Sequence, residues 1–167
     1  TNNDSRITRT AVSNDFGQFQ DAFFEEAGEH LAIVEEGLLQ LEQHPEDLDL
    51  LNKIFRSAHS IKGTSGMFGF ADVAQFTHKM ETLLDLLRNG QKVVTPQIAD
   101  LLLKSTDCLK TLIDAVKAGG GINQEIVQRL SAELARASAS GGATRGQGQR
   151  RSGTGQESSS FPLPTSH

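Results

Sequence analysis

The residues best equipped for chemistry sit in one short stretch, Ala58 to Phe70, which reads AHSIKGTSGMFGF. On a helix, the neighbours of His59 three, four and seven positions further on are Lys62, Gly63 and Gly66. An imidazole of ordinary pKa, about 6.5, is largely neutral near pH 7 and can serve as a nucleophile. Lys62 could balance the charge of a phosphoryl group placed on such a ring. The glycines carry a cost. Each glycine inside a helix is about 1 kcal/mol less favourable than alanine, so Gly63 and Gly66 together give up about 2 kcal/mol. That is a noticeable share of the roughly 5–15 kcal/mol that stabilises a domain. What they leave is bare backbone beside His59, where another molecule can come close to the imidazole. Close packing of a second helix, or a kink, is the competing reading of the same glycines.

A matching polar patch follows. His78 and Glu81 lie three residues apart on one helix face, beside an apolar stripe of Val73, Phe76 and Met80, and Asp85 continues that face one turn later. In an antiparallel hairpin turning near Gly69, residues at similar distances from the turn should meet. His59 lies 10 positions before Gly69 and Glu81 lies 12 after it. A carboxylate that accepts from one ring nitrogen fixes the tautomer and leaves the other nitrogen free to attack.

The elements that must hold these groups are helical throughout. Asp15 is a candidate N-cap for a helix with the seam Phe16, Phe23, Ala27, Leu31, Val34, Leu38 and Leu41, ending near His44-Pro45. A second helix carries Leu51, Ile54, Ala58, Ile61, Ser65 and Phe68 on its apolar side. A third, from about Ala71, carries Val73, Phe76, Met80, Leu83 and Leu87 and stops at Asn89-Gly90. Thr95-Pro96 opens a fourth with Ile98, Leu102, Ser105, Leu109, Leu112 and Val116. After Gly119-Gly120-Gly121, Asn123 caps a short fifth with Ile126, Val127, Leu130 and Leu134. The expected fold is all-α: an antiparallel four-helix bundle with a short fifth helix packed alongside. Three zones are expected along the chain: a flexible arm over 1–14, the bundle over 15–137 and a disordered linker or tail over 138–167. In the last 30 residues 13 are Ser or Gly, too few of the rest being apolar to offset the entropy of ordering.

Bulk composition narrows the partners. A net charge of −5 without a long basic block argues against nucleic acid. No apolar run has the roughly 18 residues of a membrane span. One cysteine, Cys108, excludes an internal disulfide and fits a reducing compartment, so a soluble cytoplasmic chain is expected. His30 at a helix edge, His44 at a turn and Cys108 beside Leu109 read as packing or solvated residues.

The stretch LNKIFRSAHSIKGTSGMFGF, followed by THKMETLLD, resembles the histidine-phosphotransfer domain at the N-terminus of chemotaxis histidine kinases of the CheA type, over about residues 15–137. That resemblance implies that His59 is the phosphorylated residue and that Glu81 hydrogen-bonds and orients its ring. Lys62 and His78 would complete the polar network. It implies no cofactor in this chain: ATP would sit on a separate kinase catalytic domain, and Mg²⁺ on a CheY-like receiver whose aspartate accepts the group. Gly63 and Gly66 would leave room for the receiver, with Phe55 and Met67 as its contacts, although Phe55 could equally belong to the core. Thr64-Ser65 departs from the Gly-Ala pair of the family, with little expected effect on the chemistry. Two other classes stand beside this one. A metal-binding bundle would need a second Glu-x-x-His, and a docking module without chemistry would not need His59 at all.

Overall fold

The computed structural model describes the backbone of residues 4–141 and the side chains of residues 15–141. Five helices follow in chain order: α1 (Asp4–Gln43), α2 (Leu48–Met67), α3 (Ala71–Arg88), α4 (Pro96–Ala118) and α5 (Gln124–Ala139). Their starts follow local chemistry. Asp47, Thr95 and Asn123 each accept a hydrogen bond from the backbone N–H three residues on, which satisfies a donor that the first helical turn leaves unpaired. Pro96 then occupies a position where its missing N–H is not needed.

The turn between α2 and α3 sets the site. Gly69 adopts φ +75°, and Phe70 N–H donates to the Ser65 carbonyl while Gly69 N–H donates to that of Gly66. This left-handed closure strains any residue with a Cβ. The flanking phenylalanines anchor it. Phe68 and Phe70 lie 5.4 and 5.2 Å from Phe23 of α1, centroid to centroid. The GMFGF motif thus reverses the chain and pins the reversal to α1, which fixes the register of α3 against α2.

Neighbour packs on neighbour in a closed ring, α1 on α2, α2 on α3, α3 on α4 and α4 on α1, with α5 against α3 and α4. The core is the expected set of apolar stripes, among them Leu38, Leu41, Ile54, Ile61, Phe76, Met80, Leu83, Leu102 and Leu109, all fully buried. At the far end of the bundle Lys92, in the α3–α4 connection, is buried and donates from Nζ to the Ser140 carbonyl. A cation there complements the carbonyl end of α5.

Three expectations are corrected. Helix α1 begins at Asp4, so Asp15 lies inside a helix rather than capping one and the arm expected over 1–14 is helical from Asp4. No glycine or proline between Asp4 and Asn14 interrupts it. Phe16, placed in the core seam, is 54% exposed, because α1 outruns the helices that would cover it and Phe16 meets only the edge of Phe68. Ile126 on α5 is likewise 40% exposed, since that helix is covered on one narrow side, by Leu130 and Leu134. Helix α5 also runs two residues past 137. The rest of the expected tail, 142–167, lies outside the described residues.

Candidate functional site

The hairpin brings the predicted residues together. His59 Nδ1 lies 3.0 Å from Glu81 Oε1 across the α2–α3 interface. Lys62 Nζ straddles the same carboxylate, donating to Oε1 at 3.0 Å and sitting 2.8 Å from Oε2 in an ion pair. A buried carboxylate would ordinarily be driven toward its protonated form. Burial does push the Glu81 carboxyl up, but hydrogen bonds from Lys62 and His59, with the charge of Lys62 behind them, outweigh it and hold the group below its ordinary value. Glu81 is therefore ionised and can only accept. The hydrogen must sit on His59 Nδ1, which leaves Nε2 with its lone pair.

Exposure divides the cluster in a useful way. The Glu81 side chain is 12% exposed and that of His59 61%. The orienting group is thus inside and the reactive nitrogen is outside. A Cβ added at Gly63 or at Gly66 would meet nothing within 4 Å. Neither glycine makes room for another helix, which removes the packing reading of both. Nor do the two residues between them disturb the site. Thr64 and Ser65 donate their hydroxyls to the Ser60 and Ile61 carbonyls of their own helix, and Ser65 is fully buried.

The structure does not join His78 to this network. Its side chain is exposed, and among the described residues it enters no hydrogen bond or ion pair. It stands one turn before Glu81 but points away from the interface that buries Glu81. Asp85 also stays out of contact with His59; it pairs with Arg88, Nε to Oδ1 at 2.8 Å. Met67 is 85% exposed, open to a partner. Phe55 is half-buried and stacked on His59, with ring centroids 6.0 Å apart and planes 16° off parallel. His30, at the edge of α1, lies 3.5 Å from Glu26. Burial pushes the Cys108 thiol up, as suits a packing residue. Among the described residues no three His, Cys, Asp or Glu side chains converge as a metal-ligand group, and no helix is long and apolar enough to cross a membrane.

With this geometry in hand, comparison with known proteins is direct. Residues 18–119 match the Hpt domain family. The solved CheA phosphotransferase domain from Thermotoga maritima is 32% identical, with a TM-score of 0.57, over 60% of this chain and 95% of that one. The chain belongs to the Hpt family, in its CheA type. It is a phosphotransfer module of chemotaxis. Chemotaxis protein CheA of Bacillus subtilis (strain 168) is 41% identical over 120 residues, which are 72% of this chain and 18% of that protein. The Hpt domain described here thus spans less than a fifth of that relative's length. The phosphorylated P1 domain of CheA3 in complex with CheY6 from R. sphaeroides, 22% identical, shares the fold with a TM-score of 0.62 over 72% of this chain and 98% of that one.

Two residues of this Hpt domain escaped the sequence reading. The Arg88 guanidinium carbon lies 3.7 Å above the Phe55 ring centroid, on a helix 33 residues away in sequence. Gly37, on α1, is buried, and a Cβ there would come within 2.6 Å of Ile54 Cγ1. The hairpin register that predicts His59 opposite Glu81 also sets Phe55 opposite Asp85 and Arg88, so the signal for Arg88 was present. Nothing in the periodicity of α1 marks Gly37.

Proposed function

We propose that this Hpt domain is a phosphohistidine carrier in the cytoplasm, loaded on His59 from ATP and unloaded onto a receiver aspartate. The observation that supports it is the pairing of an exposed imidazole with a buried, ionised carboxylate that holds the proton on Nδ1. Loading is an in-line displacement at the γ-phosphorus of ATP bound to a separate CheA-type kinase domain. The Nε2 lone pair forms the N–P bond as the bond to the ADP oxygen breaks. Because Nδ1 keeps its hydrogen, the product ring is formally positive, and Glu81 faces that charge at 3.0 Å. Lys62, shared with the carboxylate, is placed to offset the charge of the phosphoryl group.

Unloading reverses the balance. A carboxylate oxygen of a CheY-like receiver attacks phosphorus, the N–P bond breaks, and the electron pair returns to Nε2. The ring leaves neutral with its Nδ1 hydrogen in place, so no proton has to be found. Mg²⁺ on the receiver would stabilise the transferring charge. The open ground at Gly63 and Gly66, with Met67 beyond it, suits the approach of both partners, and the CheA3 neighbour in its complex with CheY6 supports a receiver as one of them.

The test is labelling by a CheA-type kinase catalytic domain with radiolabelled ATP, comparing the chain with His59→Gln. Label that is acid-labile, base-stable and absent from the variant, and that a CheY-like receiver then removes, is the expected result. Equal labelling of both, or no label on either while both fold, overturns the proposal and leaves a docking module.

A further inference from the structure

One hydrogen bond does not fix a ring. His59 is 61% exposed, and Glu81 holds it at the single atom Nδ1. About that contact the imidazole plane can swing, and with it the direction of the Nε2 lone pair, which has to point along the line of displacement. The group that limits the swing is Phe55, stacked 16° from parallel one turn earlier on α2. Phe55 is itself half-buried at a helix edge. Its opposite face is covered by Arg88 of α3, with the guanidinium carbon 3.7 Å from the ring centroid, and Arg88 is held in turn by Asp85 at 2.8 Å.

We infer that Arg88 is a positioning residue for phosphoryl transfer, acting on His59 through Phe55. The four side chains form a column, Asp85 to Arg88 to Phe55 to His59, that crosses the α2–α3 interface one turn from the Glu81 contact. The two contacts divide the work. Glu81 sets which ring nitrogen carries the hydrogen, and the column sets the plane in which the other nitrogen lies. Arginine suits the position for a physical reason. A planar guanidinium can lie flat on an aromatic face while an edge nitrogen donates to a carboxylate, whereas an ammonium is a point charge that cannot cover the ring in the same way. The inference rests on the phosphocarrier reading above. It goes beyond it by assigning a residue that never meets the phosphoryl group.

Arg88 also stands in the last turn of α3, where any cation complements the helix dipole. The experiment must separate that bland role from the positioning one. The loading reaction would be run in trans at varied concentrations of the full 167-residue chain, using a CheA-type kinase catalytic domain and labelled ATP. The variants are Arg88→Ala, Arg88→Lys, Phe55→Leu and the Phe55→Leu/Arg88→Ala pair. We expect Arg88→Ala to lower kcat about five-fold, with KM changed by less than about two-fold, the scale of a stacking contact and a cation–π contact together. Arg88→Lys keeps the dipole interaction and recovers the melting temperature but not the full kcat. Phe55→Leu gives the same loss, and the pair loses no more than Phe55→Leu alone, because both changes cut one column.

An independent arm records the ring nitrogen and carbon-bound proton signals of His59 by NMR in the unphosphorylated chain. Removal of Arg88 should broaden or shift them in the direction of a freer ring. Additive losses in the pair, an effect on KM alone, full rescue by lysine, or His59 signals identical in the wild type and Arg88→Ala overturn the inference. Absence of label on the wild type sinks the carrier reading instead, and the NMR arm still decides whether the column holds the ring.

Discussion

The inner and outer sides of α2 both depend on glycine, and in opposite ways. On the inner side, Gly37 of α1 brings one helix backbone so close to the other that an added Cβ would stand 2.6 Å from Ile54 Cγ1 and 3.0 Å from its Cδ1. On the outer side, Gly63 and Gly66 have nothing within 4 Å of the same added atom. One glycine is required by the fold. The other two weaken the helix and serve nothing inside the domain, which is the pattern expected where a second molecule has to approach. Chemistry therefore sits on the side of α2 that is loosely covered, and rigidity on the side that is not.

The largest effect should come from filling the inner side. Gly37→Leu forces Ile54, fully buried and branched at Cβ, to move in a core with no room. The expected cost is about 3 kcal/mol, or roughly 10 °C in melting temperature. Thermal unfolding checks it, and labelling of the fraction that remains folded should be unchanged. A loss below about 0.5 kcal/mol would mean that α1 can shift cheaply and that the inner side is not tight.

How legible this division was differs by residue. The His59–Glu81 pair could be counted from the turn, because a single left-handed glycine with phenylalanines on both sides leaves one hairpin register. Lys62 followed from helical spacing. His78 did not, since three residues of separation says that two side chains share a face but not which of them the neighbouring helix buries. The core stripes were readable for the same reason that Phe16 was misplaced: periodicity shows which side of a helix is apolar and is silent about where the covering helices end. Gly37 and Arg88 depend on contacts across 17 and 33 residues, between Gly37 and Ile54 and between Phe55 and Arg88, and a helix-by-helix pattern has no means of marking them.

Filling the outer side should do the reverse of filling the inner one. Gly63→Leu/Gly66→Leu regains helix propensity, about 0.8 kcal/mol at each position, and should raise the melting temperature by about 5 °C. Transfer from the kinase domain and to the receiver should fall about a hundred-fold, the scale of losses when reacting groups are held off their productive approach. A more stable protein with a worse reaction is the outcome that sharpens the comparison. If transfer survives, the space beside His59 is not where partners enter.

A third change cuts the contact that spans the two sides. Glu81→Gln keeps an acceptor for His59 but removes the charge that fixes the hydrogen on Nδ1 and pairs with Lys62. Labelling should slow about ten-fold, the difference between a charge-assisted and a neutral hydrogen bond. Its pH signature has a definite sign. The Glu81 carboxyl lies below its ordinary value of 4.5 in the folded chain, so near pH 4 the unfolded chain binds more protons than the folded one. The wild type should therefore be more stable than Glu81→Gln by a constant margin, about 1 kcal/mol, above roughly pH 5.5. That margin should shrink as the pH falls through 4.5 and below. Melting curves of both proteins between about pH 3 and 7 read it directly, and a margin that grows toward acid would show that the ion pair is not what depresses the carboxyl.

The smallest effect tests whether the two sides of α2 are independent. Ser65 is fully buried on the inner side, and its hydroxyl donates to the Ile61 carbonyl at 2.6 Å and to that of Lys62 at 3.0 Å. The Ile61 carbonyl already has its helical N–H partner, so Ser65→Ala strands no polar group, and the better helix propensity of alanine offsets most of the lost hydroxyl contact. The stability change should stay within about 0.5 kcal/mol and labelling within about two-fold. Yet hydroxyls bonded back to the preceding turn bend helices slightly, and this one lies between His59 and the Gly69 turn. Were Ser65→Ala to slow labelling while leaving stability alone, the bend would be setting the 3.0 Å contact between His59 and Glu81. The inner side would then be shaping the chemistry as well as holding the fold, and Thr64, which bonds to the Ser60 carbonyl in the same way at 2.7 Å, would be the next residue to change.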